Sequence, residues 1–156
     1  MNKVLVLLIV LAFAGCKKDN DTTALLTRSW QLTAMTMKTT TGESISRIIN
    51  NCDDRRTYTF REDGNFLSEP SAGCISNGRP TDVLSGTWTL IDKKILRAEA
   101  QGGSSAMYLD ADIVMLTKSK LVLRVGLTAD GRAGVRGGGG GFAGDGSQLI
   151  TEFTAR

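Results

Sequence analysis

Cys16, Cys52 and Cys74 are the residues whose type and spacing promise the most chemistry. Cys16 ends an apolar leader. Met1-Asn2-Lys3 gives a short basic start, Val4 to Ala14 is an apolar run, and Phe13-Ala14-Gly15 places small residues directly before the thiol. That order is the grammar of a lipoprotein signal, in which the cysteine takes a lipid such as palmitate and becomes the first mature residue. An ordinary cleaved secretory signal, or a buried first strand, is the alternative. The run of eleven apolar residues falls short of the about 20 that a helix needs to cross a bilayer.

With Cys16 assigned to the lipid, Cys52 and Cys74 remain as a pair. In a compartment outside the cytosol they are expected to oxidise to a disulfide, the alternative being two reduced buried thiols. Closing that loop contributes on the order of 3 kcal/mol in the chain-entropy account.

The chain has no histidine, so Ser-His-Asp and Cys-His nucleophile pairs and histidine-ligated zinc are absent. Asp110 and Asp112 lie two apart, which on a strand sets both carboxylates on one face. With Asp53-Asp54 or Asp145 they would offer the hard oxygen ligands calcium prefers. Neither an Asp-x-Asp-x-Asp-Gly loop nor a dense acidic cluster is present, and no metal is expected. Gly139-x-Gly141-x-x-Gly144 matches a dinucleotide fingerprint formally. Phosphate binding there needs a strand before and a helix after, whereas a strand-like segment follows, so no cofactor is expected. The stretch Gly126 to Gly146 reads as a loop whose glycines cost much backbone entropy to order. The net charge of +3 is not gathered into a stripe with stacking aromatics, so no nucleic acid is expected as a partner.

The elements that position these residues read as strands. Ser29 to Met37 alternates, with Trp30, Leu32 and Ala34 on one face and Met35 and Met37 on the other. Thr57 to Arg61 sets Tyr58 and Phe60 together, and Glu62-Asp63-Gly64-Asn65 is a hairpin turn into Phe66-Leu67. Leu84 to Ile91 places Leu84, Gly86, Trp88 and Leu90 on one side, then Asp92-Lys93 turns into Lys94 to Ala100. Met107 to Thr117 and Lys120 to Leu127 form another pair, and Gln148 to Thr154 closes the series. Glu43 to Asn50 alone has helical spacing, with Ile45, Ile48 and Ile49 at i, i+3 and i+4, which predicts a single turn or a lid. The expected fold is all-β, an antiparallel up-and-down barrel of about eight strands, with a two-sheet sandwich as the alternative. Residues 1–15 are read as signal peptide, 16–25 as a polar tether and 26–156 as the barrel domain.

Ser29-Trp30, Cys52-Asp53-Asp54, Phe60-x-x-Asp63-Gly64-x-Phe66, Cys74 and Gly86-Thr87-Trp88-Thr89-Leu90, in that order, resemble the lipocalin-like lipoproteins common in Bacteroidetes. The resemblance covers most of residues 25 to 125. Arg28-Ser29-Trp30 departs from the Gly-x-Trp such domains tend to carry. What the resemblance implies is a small secreted, lipid-anchored barrel, in a family whose members mostly have no assigned activity. Lys17-Lys18-Asp19 also looks like the charged signal that sends some lipoproteins of that phylum to the cell surface.

The reading is an outer-membrane protein, on its periplasmic side or the cell surface, tethered through an N-terminal lipid. It is a non-catalytic binding module for a small apolar ligand. Trp30, Leu32, Tyr58, Phe60 and Trp88 are the candidates to line its cavity, or else to fill its core. The rival is a surface structural or inhibitory protein that engages a protein partner through residues 43–56 or 128–146. An enzyme would need Asp110 and Asp112 to converge with Lys120 or Arg124 in a cleft, and no enzyme is expected.

Overall fold

The structure, a computed structural model, describes residues 22–49, 55–71, 83–103, 105–127 and 146–156. A short helix, α1 (Thr22–Leu26), leads into β1 (Ser29–Lys38) and β2 (Ser44–Ile48). There follow β3 (Arg56–Phe60), β4 (Asn65–Pro70), β5 (Leu84–Ile91), β6 (Ile95–Gly102), β7 (Ser105–Leu116), β8 (Lys120–Gly126) and β9 (Gln148–Ala155). Each neighbour from β3 to β9 pairs antiparallel with the next, and β1 pairs with both β3 and β9. Eight strands therefore close on themselves, and β2 lies outside the ring on β1. Closure excludes the sandwich, because a sandwich leaves edges where β1 meets β9.

The tight turns form where their chemistry predicts. Asp92 and Lys93 both take the left-handed conformation, φ 50° and 57°, and Lys94 N–H closes the turn on the Ile91 carbonyl at 3.0 Å, in a three-residue loop between the paired Ile91 and Ile95. In the turn before Asn65, Asp63 Oδ1 accepts the Asn65 N–H at 2.9 Å. These turns and that of residues 117–119 share one end of the barrel with α1. Leu26 of α1 is wholly buried there, and Arg28 donates to the Lys118 carbonyl at 2.7 Å. The longer connections, 71–83 and 127–147, leave from the opposite end. The last residues of the stretch read as a tether, from Thr22 on, belong to α1.

Two expectations are corrected. Residues 44–48 form β2 and not a helical turn or lid. Gly42 at φ 88° reverses the chain, and Thr39 N–H bonds the Glu43 carbonyl at 3.0 Å. Ser-Ile-Ser-Arg-Ile then extends along β1, since so short a run cannot recover the cost of nucleating a helix. All five residues are exposed, and only Ile49 beyond them is buried.

The second correction is to the faces of β1. The register slips between Leu32 and Ala34, so Thr33 is an extra residue, a β-bulge. Its hydroxyl donates to the Glu152 carbonyl at 3.0 Å, and its carbonyl accepts the Ile49 N–H at 2.8 Å. Past the bulge the faces exchange. Ala34 leaves the face of Trp30 and Leu32, and Met35 joins it to pack on the core.

β5 and β6 approach unusually closely at Gly86. A Cβ built there would lie 1.8 Å from the Glu99 carbonyl oxygen, so only glycine fits where this wall bends.

Candidate functional site

The inside of the barrel gathers all five predicted lining residues. Trp30, Leu32, Phe60 and Trp88 are buried in one core, and Tyr58 packs against it. Aromatic contacts run through them: Trp88 meets Phe60 edge-on at 5.6 Å, Phe60 meets Phe66 at 5.0 Å, and Tyr58 meets Phe153 at 5.3 Å.

Their environments divide them. Trp30 donates its indole N–H to the Leu26 carbonyl at 2.9 Å, and Trp88 donates to the Arg61 carbonyl at 2.8 Å. Both partners lie at the α1 end, so each tryptophan fixes the closed base of the barrel. Phe60 packs between Trp88 and Phe66 at the same end. Trp30, Phe60 and Trp88 are thus core residues, and Leu32 and Tyr58 stand above them.

Half-buried apolar side chains lie on the inner wall at both ends: Leu90, Ile113 and Leu116 near α1, and Met35, Met107, Leu109 and Leu149 away from it. Leu149 pairs with Met37, itself 38% exposed, and Met107 pairs with Ala100. Around them at the mouth end Leu84, Val125 and Leu127 are buried.

Polar groups interrupt this inner wall on one side. Strand alternation carries Arg56, Tyr58 and Phe60 to one face of β3, and Phe66, Ser68 and Pro70 to the matching face of β4. Arg56 Nε donates to Ser68 Oγ and its Nη2 to the Ser68 carbonyl, both at 2.9 Å. Tyr58 shares a hydrogen bond with Ser68, while burial, the dominant effect, holds its phenol above the ordinary value of 10.0. Arg56 pulls in the opposite direction.

Sequence alternation missed Arg56 and Ser68 because charge and small polar residues usually mark an outer face. Their even spacing from Tyr58 and Phe66 was the signal. The half-buried Met107, Leu109 and Leu149 were also missed, since several strands share that apolar pattern.

Asp110 and Asp112 point away from this interior and do not meet in a cleft. Asp110 is fully buried against Arg97, whose Nη2 lies 2.9 Å from Oδ2, and this pairing raises the Arg97 pKa further. Asp112 pairs with Arg124 at 3.0 Å, and Lys120 pairs with Glu152. The groups an active site would have required are tied in wall-to-wall ion pairs across β6, β7, β8 and β9. Among the described residues the clefts lie on the outside of the wall; one of about 520 Å³ is lined by Thr87, Glu99 and Tyr108. Cys16, Cys52, Cys74 and most of the glycine-rich stretch 126–146 lie outside the described residues.

No curated protein matches the chain. The family model for the lipocalin-like domain matches residues 26–123, from the last residue of α1 to the middle of β8. With a closed eight-stranded antiparallel barrel, a helix plugging one end and long connections at the other, the chain belongs to the lipocalin-like domain family.

Proposed function

We propose that this protein is a membrane-tethered, non-catalytic carrier or sensor that takes a small apolar molecule at the mouth of its barrel. The observation that carries the reading is the group of half-buried inner-wall side chains Met35, Met107, Leu109 and Leu149 at the end away from α1, with Met37 beside them 38% exposed. Apolar side chains left half-covered on a concave wall are a surface that a ligand would cover. Arg56, Ser68 and Tyr58 would orient a polar end of that molecule. Catalysis by nucleophile and base finds little support, because the chain has no histidine and its paired aspartates are held by arginines.

The tether rests on the leader that ends at Cys16, and an outer-membrane location, periplasmic or surface-facing, follows from that signal. The Cys52–Cys74 disulfide rests on the same signal, since a location outside the cytosol lets the two remaining thiols oxidise.

Titration with a fluorescent apolar naphthylamine probe tests the binding reading. Saturable binding that Met107→Trp and Leu109→Trp reduce about tenfold or more, with unchanged unfolding midpoints, is the expected result. Absence of saturable binding to the wild-type chain would overturn it. The second reading, an inhibitory or structural protein acting through its rim, would then gain from Ile45 and Val83, which are 60% and 51% exposed.

A further inference from the structure

The outer edge of β2 remains after the barrel has closed every other strand. The backbone bonds fix which groups it offers. Ile49 N–H bonds Thr33, and Thr39 N–H bonds Glu43, so in this ladder the odd-numbered residues of β2 turn their amides toward β1. Ser44, Ser46 and Ile48 turn theirs to the other side. There, among the described residues, no backbone partner meets them. Ile45 and Ile48 are 60% and 74% exposed, and the strand has no proline or lysine of the kind that blunts an edge.

We propose that this edge pairs antiparallel with the same edge of a second copy, about a two-fold axis at Ser46. The sequence is self-complementary in that register. Ser44 meets Ile48, Ser46 meets Ser46, and Ile48 meets Ser44, so every outward amide and carbonyl of the three residues is used. On one face Ile45 lies opposite Arg47 of the other copy, whose aliphatic stem covers it. Glu43 shares that face and stands diagonal to the same Arg47, within reach of long side chains. A parallel arrangement, or an antiparallel slip centred on position 47, would oppose the two Arg47 side chains directly. A slip centred on Ile45 would set Glu43 opposite Arg47 but would bring Ile48 against the turn at Gly42 (φ 88°) with its outward amide unpaired, so the hydrogen bonds and the charges together favour the register centred on Ser46. A five-residue edge covers far less than the ~800 Å² per partner of a standard interface, so the pairing is weak and reversible.

The test uses the full chain carrying Cys16→Ser, so that a lipid does not itself cause association. Sedimentation and hydrogen exchange are followed up to ~1 mM chain, the concentration scale of a weak contact. The expected result is a dimer fraction that grows with concentration, with the Ser46 and Ile48 amides gaining protection while those of Ile45 and Arg47 are protected throughout. Ser46→Pro removes an outward N–H without touching the β1 ladder, and should weaken dimerisation about tenfold or more. Glu43→Lys should weaken it less, by facing Arg47. A chain that stays monomeric, or a Ser46→Pro variant that dimerises as the wild type does, overturns the proposal. Protection of Ser46 and Ile48 by an unrelated extended peptide but not by concentration also overturns it, and assigns the edge to a foreign strand. Should Ser46→Pro fail to fold, the alternating exchange pattern of the wild-type chain decides alone.

Discussion

The indole of Trp30 and the carbonyl of Leu26 meet across 2.9 Å, and both residues are completely buried. Helix and first strand are thereby joined at the base of the barrel. Leu26→Ala should cost about 2–5 kcal/mol through the lost methyl groups and the cavity left behind. Trp30→Phe should cost less for its hydrogen bond, about 1 kcal/mol, because the Leu26 carbonyl keeps the Arg28 N–H at 2.8 Å; the smaller ring adds to that. Urea midpoints should fall in this order with unchanged slopes.

Gly86 is limited by its neighbour strand and not by its own dihedral angles. Any side chain there meets Glu99 backbone, with Ala100 Cα at 2.7 Å from a Cβ. Backbone atoms cannot rotate away as a side chain can. Gly86→Ala should therefore separate β5 from β6 and cost ~3 kcal/mol, the upper part of the range for overpacking. Gly42→Ala meets nothing within 4 Å and loses only the ease of its positive φ, a cost of about 1 kcal/mol. Comparing the two melting temperatures separates crowding from conformational preference.

Tyr58 gives the protein an alkaline limit. Burial raises its folded-state pKa above 10.0, so the native state holds a proton that the unfolded state releases. The stabilisation is complete below the unfolded value and is lost as pH climbs through the folded one. Unfolding free energy should decline above pH 10, and Tyr58→Phe should remove that part of the decline. Phenolate absorbance, read in a Tyr108→Phe background since the chain has two tyrosines, should show Tyr58 ionising late. Ionisation at the ordinary pH would refute the burial account.

The turns and the aromatic strand faces were readable because each depends on residues close in sequence. Asp92-Lys93, Asp63-Gly64-Asn65 and the alternation of Leu84, Gly86, Trp88 and Leu90 all specify local geometry. Three features escaped because a distant partner decides them. Ile45, Ile48 and Ile49 have helical spacing, but β1 supplies an edge on which the segment extends. Arg56 faces inward because Ser68 and the Ser68 carbonyl receive its guanidinium. Asp110 is buried because Arg97 pairs with it from the neighbouring strand. The candidate site was legible as a set of inward aromatics. Which end is closed by α1 and which carries the half-buried Met35, Met107 and Leu149 needed the position of α1 and the strand pairing.

Thr33 decides which side chains reach the mouth. Were Thr33 paired as an ordinary ladder residue, alternation from Trp30 and Leu32 would bring Ala34 inside and turn Met35 and Met37 out. The bulge reverses this, and β9 and β2 hold it in place through the Glu152 carbonyl and the Ile49 N–H. Deleting Thr33 alone removes the extra residue and leaves a regular ladder in which Ala34 follows Leu32 directly, so Met35 and Met37 keep both their β9 partners and their inward face. That variant should lose only the Thr33 hydroxyl and carbonyl bonds, about 1 kcal/mol each, with exchange at residues 34–38 still slow. Deleting Thr33 and Ala34 together sets Met35 directly after Leu32. Either the upper half of β1 then keeps its alternation and exposes Met35 and Met37, or it keeps those side chains inside and breaks its ladders with β2 and β9. Hydrogen exchange should therefore quicken at residues 35–38 and 148–152 in the double deletion while the amides near Trp30 and Phe60 stay slow, and binding of the apolar probe should weaken. Equal exchange in the single and the double deletion would show that the count of residues at the bulge does not set the face.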